Sequence, residues 1–384
     1  MPHSPHFIDH IQSCLDDFID KRHTILADIS ADATPLITHS REFLRGGKRF
    51  RALFTYWSWQ GITEISGTNS LPSAVAYPSE PEAVDPANSP NYSAILQVAS
   101  ALELFHAAAL VHDDVIDNSD TRRGTPAAHL RFERLHRDGG WRGDPAEFGR
   151  ASAILLGDLL QFWSDELFSD GIHELSDPAA ARRARAHFNQ MRTDVGVGQY
   201  LDLLEEHVWG EAAHEEQLER STRVLVYKSA KYSVEAPLLI GAALGGASAA
   251  AETALSAFGL PLGVAFQLRD DLLGVFGDSA VTGKPSGDDL REGKQTVLIA
   301  LARRTMPPAQ QRAMDDLLGN ATLDESQIVQ LQNAIRESGA YESVEKMIED
   351  NVERAQRALH AAPLGAESVR QLAALAHRVT QRVF

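Results

Sequence analysis

The stretch Leu110-Val111-His112-Asp113-Asp114-Val115-Ile116-Asp117 ends a long apolar run and carries three carboxylates. The run has helical periodicity, so Asp113 and Asp117 share one helix face and Asp114 flanks them. Carboxylates stacked in this way repel each other, and burying them is far more costly unless a cation lies between them. The pattern therefore predicts a helix that ends in a cation-binding site.

A second aspartate pair, Asp270-Asp271, follows another apolar helical stretch that includes Phe266 and Gln267. Closely spaced oxygen donors suit Mg²⁺, which binds one or two carboxylates, keeps several waters and takes phosphate oxygens as further ligands. Two such helices that face each other would hold a metal-bridged diphosphate between them. The central prediction is that Asp113 and Asp270 point into one cavity.

Composition and charge narrow the functional classes. The 384 residues are 43% hydrophobic and 23% charged, as in an ordinary globular protein. The net charge of −17 repels nucleic acid, so nucleic-acid binding is not expected. No apolar run approaches the roughly 18 residues of a membrane span, and no signal peptide is visible. The only cysteine, Cys14, fits a reducing, cytoplasmic location.

Apolar residues recur at helical spacing through most of the chain, whereas alternating β patterns are absent. The predicted helices cover Phe7–Ile29, Thr34–Glu42, a segment through Trp59, Tyr92–Ile116, Ala151–Phe168, Pro178–Glu206, Glu215–Ala230, Val234–Leu244, Glu252–Phe276, Lys294–Arg304, Pro308–Leu318, Glu325–Ser338, Tyr341–His360 and Ala366–Phe384. Residues 61–91 are proline-rich without periodicity and are predicted to be a disordered surface insertion. The chain is predicted to be an all-α, single-domain helical bundle over residues 1–384, around a central cavity.

Cationic side chains are clustered along the chain, as an acidic protein requires if it is to bind an anion. Arg122 and Arg123 follow the first aspartate group, and each can offer a planar guanidinium to a separate phosphate. Lys48 and Arg51 follow two glycines and share one face of a helix, where the backbone can approach a ligand closely. These four residues are candidate diphosphate ligands.

Further polar candidates lie on other helices and in one glycine-rich loop. His106 is two turns before Asp113 on the same predicted helix, and Lys228-Ser229 lie on an amphipathic helix. Lys284, in the loop 277–293, is a candidate counterion for a bound anion. Lys294, just after that loop, belongs to the same group, and solvation of a charged loop is the alternative for both lysines.

Taken in order along the chain, these motifs resemble the trans-isoprenyl diphosphate synthase (polyprenyl synthetase) family, closest to its actinobacterial geranylgeranyl diphosphate synthases. The resemblance covers about residues 40–300 and is carried by Gly46–Arg51, His106, Asp113–Asp117, Arg122-Arg123-Gly124, Gly157-Asp158, Gly198-Gln199, Lys228 and Phe266–Asp271. It implies a Mg²⁺-dependent prenyltransferase that joins isopentenyl diphosphate head-to-tail to dimethylallyl, geranyl or farnesyl diphosphate and releases diphosphate. It also implies roughly three Mg²⁺ ions per site, with Mn²⁺ as a substitute, and a homodimer.

The same resemblance implies a role for each matching position. The metal ligands would be Asp113, Asp114, Asp117, Asp270 and Asp271. The groups that promote ionisation would be Asp113, Asp114, Asp117, Asp270 and Lys228. Arg122 would contact the allylic diphosphate, and the isopentenyl diphosphate site would comprise Lys48, Arg51, His106 and Arg123. The residues around the leaving diphosphate would be Lys228, Ser229, Gln267 and Lys284, with serine at position 229 where threonine is commoner.

The second aspartate motif departs from the family pattern. Its usual third aspartate is replaced by Gly274, so Asp270 lacks a carboxylate four positions further on. Asp278, one turn beyond Gly274, is a candidate substitute if the helix extends that far. The ligation of the second metal is therefore left open at this point.

The helix before Asp113 offers a hypothesis for product length. The face of Asp113 continues upstream to Ala109 and Ala108, then to Phe105, which is about 12 Å deeper along the helix axis. Small residues in the first turn leave room for a chain longer than farnesyl, and Phe105 would stop growth near geranylgeranyl diphosphate, with its twenty carbons. An ordinary core role for Phe105 is the equal alternative.

Other functions remain compatible with parts of the pattern. A trans-polyprenyl diphosphate synthase of another product length, farnesyl or geranylfarnesyl and longer, would share every motif. A class I terpene cyclase uses an aspartate-rich helix and Mg²⁺ but does not need a second diphosphate site. A non-catalytic subunit of a heteromeric synthase should have lost aspartates or arginines, whereas only Gly274 departs here.

Overall fold

The computed structural model describes residues 3–66, 91–122, 124–209, 214–278 and 286–381. The helices in these residues are α1 (His3–Ile29), α2 (Thr34–Leu44), α3 (Phe50–Ser66), α4 (Tyr92–Ile116), α5 (Ala128–Asp138), α6 (Pro145–His173), α7 (Pro178–Val208), α8 (His214–Val224), α9 (Ala236–Leu244), α10 (Ala249–Phe276), α11 (Asp288–Glu292), α12 (Val297–Thr305), α13 (Pro308–Leu317), α14 (Glu325–Glu337), α15 (Ala340–Ala361) and α16 (Ala366–Thr380). A π-helical segment, Leu225–Glu235, joins α8 to α9. The all-α prediction is confirmed.

Several helices begin where the sequence provides an N-terminal cap. Asp144 and Asp177 each accept a hydrogen bond from the amide two residues later, at 2.8 Å, and each precedes a proline in the first helical position. Asp324 and Gln327 form a capping box at the start of α14. These side chains satisfy amides that have no partner within the helix, and proline needs none.

The core is organised around α4, which packs against α6 and carries a row of fully buried residues. A first buried cluster unites α1, α3, α4, α6, α7 and α9 with the first half of α10. A second cluster unites the second half of α10 with α12, α14 and α15. Because α10 contributes to both clusters, its position is fixed along most of its length. The single-domain prediction stays a prediction.

The observed boundaries correct three expectations from the sequence. Helix α3 continues through Ser66, because Gly61 packs against α16 and its carbonyl accepts a hydrogen bond from Gly365 at 2.9 Å. Residues 61–66, predicted as the start of the insertion, are therefore helical, and the rest of that predicted insertion, residues 67–90, lies outside the described part. Helix α6 begins at Pro145, six residues before the predicted Ala151, and α5 was not predicted.

A short antiparallel ladder follows α4. Thr121 pairs with Pro126 and Arg122 with Thr125. Strands of two residues have no alternation that sequence periodicity could detect. The ladder folds the chain back after the first aspartate group, which returns Arg122 toward α4.

Two helices are long and apolar enough to cross a membrane by length and composition, contrary to the expectation that none would be. Of the most apolar window, 72% is buried inside the protein in α4 and 44% in α10. Both helices contribute to the buried clusters. Such burial is typical of core helices.

Candidate active site

A cavity of about 930 Å³ opens between α4, α7, the π-helical segment and α10. Asp113 from α4 and both Asp270 and Asp271 from α10 line it. The two aspartate motifs, 157 residues apart in the sequence, therefore face one space, as the sequence predicted. Beside the charged groups, the lining includes the apolar residues Ala109, Leu110, Val195 and Phe266.

The first aspartate group is organised by Arg122. The Arg122 Nε donates to Asp114 at 2.8 Å, and its Nη2 donates to Asp113 at 3.2 Å. Asp114 is fully buried beneath this guanidinium and does not line the cavity, whereas Asp113 does. Although burial opposes ionisation, Lys228, Lys294 and Arg122 hold the pKa of Asp113 well below its usual value. Asp113 is therefore a carboxylate throughout the neutral pH range.

Lys228 lies opposite Asp113 because two helices approach each other very closely. A Cβ atom added at Gly198 on α7 would lie 2.3 Å from the backbone nitrogen of Lys228, so only glycine allows this contact. Lys228 forms an ion pair with Asp202, one turn after Gly198, and its Nζ lies 3.2 Å from Asp113 Oδ1. Despite burial, these carboxylates raise the pKa of Lys228, which keeps it cationic. A π-helix is rare and is often found at functional sites.

Lys294 is paired with carboxylates, which excludes the alternative of a solvated loop lysine. Its Nζ lies 2.7 Å from Asp117 and 3.1 Å from Glu292. Asp117 therefore faces this lysine and is not among the residues that line the cavity, although it shares the helix face of Asp113. The side chain of Asp117 is only 4% exposed, and burial of that kind requires an opposite charge.

The second aspartate pair lies in a more strongly acidic environment. Gln267 Nε2 donates to Asp271 Oδ1 at 2.8 Å. Burial, together with the neighbouring carboxylates of Asp289, Asp270 and Asp202, raises the pKa of Asp271 to about 8. The pKa of Asp113 is lowered by neighbouring cations, whereas burial and neighbouring carboxylates raise the pKa of Asp271.

A group of cationic side chains lines another part of the same cavity, and it includes Lys48 and Arg51. Arg51 is fixed by Ser233 Oγ at 2.9 Å and by the ring of Tyr232, whose centroid lies 4.1 Å from the guanidinium carbon. The Tyr232 hydroxyl also contacts His106 Nδ1 at 2.5 Å. These contacts orient Arg51 and His106 before any ligand arrives.

Arg49 supports that cationic group from beneath. Its φ of 51° is uncommon for a residue other than glycine, and it follows Gly46 and Gly47, which also have positive φ angles. Arg49 Nη1 lies 3.0 Å from Glu103, and both side chains are 5% exposed. This buried ion pair holds the turn, so that Lys48 and Arg51 face the cavity.

The structure brings most of the predicted site residues together. The predicted residues that line the cavity are Lys48, Arg51, His106, Ala109, Asp113, Arg122, Lys228, Ser229, Gln267, Asp270 and Asp271. Arg123 and Lys284 lie outside the described residues. Ala108 and Phe105 are buried and do not line the cavity; the Phe105 ring contacts Tyr232, which does, with centroids 5.9 Å apart.

Three functional candidates were missed by the sequence reasoning: Asp202, Tyr232 and Arg378. Asp202 is one helical turn after Gln199, and that spacing could have indicated a shared face. Arg378 comes from α16, and its guanidinium carbon lies 5.7 Å from the ring centroid of Phe50. No local pattern indicates that the last helix returns to the cavity, because that contact depends on the fold.

The carboxylates that line the cavity fit a hard divalent cation that takes most of its other ligands from water and phosphate oxygens. Asp113 Oδ1 is buried, and its cationic neighbour is Lys228 Nζ at 3.2 Å. Within the described residues, no group of three His, Cys, Asp or Glu side chains is close enough to hold an ion alone. Mg²⁺ does not need such a group, because it binds one or two carboxylates together with water and phosphate oxygens.

The fold and cavity define a class of protein that binds an anionic substrate with an apolar body inside a helical bundle. The sequence matches the polyprenyl synthetase family model over residues 35–335, and the chain belongs to that family. It is therefore a prenyltransferase.

Individual relatives agree with this assignment. A geranylfarnesyl diphosphate synthase from Aeropyrum pernix is 31% identical over 291 residues, which cover 75% of this chain and 83% of the relative. A geranylgeranyl diphosphate synthase from Mycobacterium tuberculosis is 30% identical over 68% of this chain and 67% of its own. A crystal structure of geranylgeranyl pyrophosphate synthase from Corynebacterium glutamicum, complexed with isoprenyl diphosphate and magnesium, has a TM-score of 0.87 and 36% identity. The match covers 98% of this chain and 99% of that one.

Proposed function

We propose that this enzyme catalyses Mg²⁺-dependent, head-to-tail condensation of isopentenyl diphosphate with an allylic diphosphate, and that its main product is geranylgeranyl diphosphate. The observation that carries the proposal is one cavity with carboxylates on two facing helices and a separate cationic group beside them. A single-diphosphate enzyme such as a terpene cyclase has no need of that second group.

The part of the cavity beside the first aspartate group, at the end of α4, would hold the allylic diphosphate. Magnesium ions, roughly three with Mn²⁺ as a substitute, would be held by Asp113 and Asp270 and would neutralise the leaving diphosphate. Lys228 and Arg122 add fixed positive charge beside Asp113, where negative charge develops as the C–O bond breaks. Asp114 and Asp117 position Arg122 and Lys294 through buried ion pairs.

The second substrate is isopentenyl diphosphate, and Lys48 and Arg51 would bind its diphosphate. Arg378 is a further cation that lines the same cavity. His106 would donate to it while its Nδ1 stays on the Tyr232 hydroxyl. The double bond then attacks the allylic cation, and a proton leaves to the departed diphosphate. This route needs no strong protein base. Apolar lining such as Ala109 excludes water, which would quench the cation.

The proposed product length depends on the aromatic residues beneath Ala109. The ring of Phe105 lies 6.2 Å from that of Phe188, which stacks on Phe168 at 4.1 Å. Ala109 and Tyr232 line the cavity, and the Phe105 ring lies 5.9 Å from that of Tyr232, so a growing chain that extends past Ala109 would meet this group. We therefore retain Phe105 as the residue that limits growth.

Incubation of the purified protein with isopentenyl diphosphate, Mg²⁺ and each allylic primer tests the proposal. We expect linear prenyl diphosphates, with geranylgeranyl predominant. Cyclic hydrocarbons would instead indicate a terpene cyclase, and no turnover with any primer would indicate a non-catalytic subunit. Asp113→Asn should abolish turnover, whereas Asp120→Asn, an exposed aspartate seven residues later that does not line the cavity, should not.

We also propose a cytoplasmic homodimer. Leu155 and Phe162 on α6 are 60% and 65% exposed, and Val197 and Tyr200 on α7 are 50% and 62% exposed. Large apolar side chains exposed together favour a protein interface. Light scattering should give twice the chain mass, and Phe162→Glu should shift it toward the monomer; a monomeric native protein would contradict this.

A further inference from the structure

A partly buried ion pair joins three helices behind the second aspartate motif. The guanidinium of Arg269, one residue before Asp270, donates two hydrogen bonds to the carboxylate of Glu345 on α15, at 2.6 and 2.7 Å. Its Nε donates to the carbonyl of Thr380, the last residue of α16, at 3.1 Å. The side chain of Arg269 is 12% exposed, and neither it nor Glu345 lines the cavity. The pair therefore connects α10, α15 and α16 from outside the cavity.

The geometry of this contact is specific to arginine. A guanidinium can donate two bonds to one carboxylate and a third, through Nε, to another acceptor, whereas a lysine ammonium cannot present this planar fork. The third acceptor, Thr380, lies at the C-terminal end of a helix, where the helix dipole also favours a positive charge. The hydroxyl of Tyr341 donates to Glu345 Oε1 at 3.2 Å and so helps to orient the carboxylate.

The end of α16 that Arg269 holds presents two side chains to the cavity. Arg378 and Gln381, on either side of Thr380, both line it. Arg378 is exposed, and its guanidinium carbon lies 5.7 Å from the ring centroid of Phe50, which also lines the cavity. The last turn of a helix frays unless other contacts hold it, and an exposed side chain there is placed mainly by the backbone of that turn.

We propose that Arg269 and Glu345 are positioning residues for the binding of isopentenyl diphosphate. By holding the carbonyl of Thr380, the pair fixes the last turn of α16 and therefore the place of Arg378, which offers a positive charge to that substrate. This inference rests on the proposed function. The pair lies behind the helix that carries Asp270, yet it acts on the binding of the second substrate.

Glu345→Gln tests the pair from α15, away from the aspartate motif that Arg269 adjoins. The variant keeps the size of the side chain but removes the charge that holds the guanidinium of Arg269. The amide of Gln381, which donates to the carbonyl of His377 at 3.0 Å, reports on the last turn of α16. In hydrogen–deuterium exchange on the full chain, this amide should exchange about tenfold faster in the variant than in the native protein.

Steady-state kinetics test the consequence for substrate binding. In Glu345→Gln the KM for isopentenyl diphosphate should rise about tenfold, because a charged contact to that substrate is weakened. The kcat and the KM for the allylic primer should stay within about twofold of native, because only the binding of the second substrate is affected. A variant that was merely less stable would instead lose kcat, since fewer molecules would be folded.

Two further variants complete the experiment. Glu349→Gln is the matched control, because Glu349 is exposed one turn later on the same helix, and it should match the native protein in exchange and kinetics. Arg378→Ala should raise the same KM. Adding Glu345→Gln to Arg378→Ala should cause no further rise, because the pair acts through Arg378.

Native exchange at Gln381 or a native KM for isopentenyl diphosphate in Glu345→Gln would overturn the proposal, and so would full addition of its effect to that of Arg378→Ala. If Glu345→Gln does not fold, Arg269→Lys takes its place with the same expected results, because it retains the charge but loses the fork. Failure of the proposed function is distinct. The native protein would then not condense isopentenyl diphosphate and the substrate role would fall with it, whereas faster exchange in the variant would still show that the pair holds α16.

Discussion

Replacing Gly198 by alanine tests whether the close approach of α7 to the π-helical segment positions Lys228. The added Cβ would lie 2.3 Å from the Lys228 nitrogen and 2.6 Å from its Cα. An ordinary contact needs at least 3.4 Å, so the backbone of Lys228 must move by about 1 Å. Overpacking of this size costs about 1–3 kcal/mol of stability, and a catalytic group displaced by about 1 Å costs about 100-fold in rate.

Gly196→Ala is the matched control, because it lies on the same helix and its added Cβ meets nothing within 4 Å. It should stabilise the protein by about 0.5–1 kcal/mol, as alanine does in a helix interior. Urea unfolding gives the stability of both variants, and single-turnover kinetics give the rate of condensation. If Gly198→Ala matched Gly196→Ala in both measurements, the argument that this contact positions Lys228 would be wrong.

Three further predictions follow from other parts of the site. Glu206 has its pKa raised to about 7 by burial and by Asp202 and Asp117, from an ordinary 4.5. A raised acid binds more protons when folded, so this group makes the metal-free protein lose stability as pH rises from about 4.5 to about 7, by ~1–2 kcal/mol after allowance for its partial exposure. In the variant Glu206→Gln, the free energy of unfolding in urea should no longer fall between pH 5 and pH 8 for this reason. If the fall were as large as in the native protein, the role of Glu206 would be refuted. Glu103→Gln should destabilise the protein by about 3 kcal/mol, since it removes the carboxylate that neutralises the buried Arg49 and leaves the neutral acceptors Gln12 and Leu44; a thermal midpoint within a degree of native would contradict this. Ala109→Phe should shorten the product, since the ring would block the cavity about 6 Å from Asp113 along the helix axis, and Phe105→Ala should lengthen it; unchanged chromatograms of the dephosphorylated products in both would reject the proposed floor.

Local sequence was sufficient to predict the helices and the facing carboxylates. Helical periodicity depends on residues three and four apart, so the span of α4 and the shared face of Asp113 and Asp117 could be read without a fold. The apolar runs before Asp113 and Asp270 carried enough information to predict that both motifs lie at one cavity. The two-residue ladder had no periodic signal, whereas α5 is amphipathic, with Ala128, Phe132 and His136 buried on one face, and could have been predicted.

Only the tertiary structure determined which charges are paired. By sequence Lys294 could be a counterion or a solvated lysine, but it is buried against Asp117. Asp202 becomes a partner of Lys228 only because Gly198 lets α7 approach. Asp278, the substitute considered from the sequence, does not line the cavity, whereas Asp289 fills the space beside Gly274 from fifteen positions away. These relations depend on distances between separate helices, which the spacing of residues along one helix does not specify.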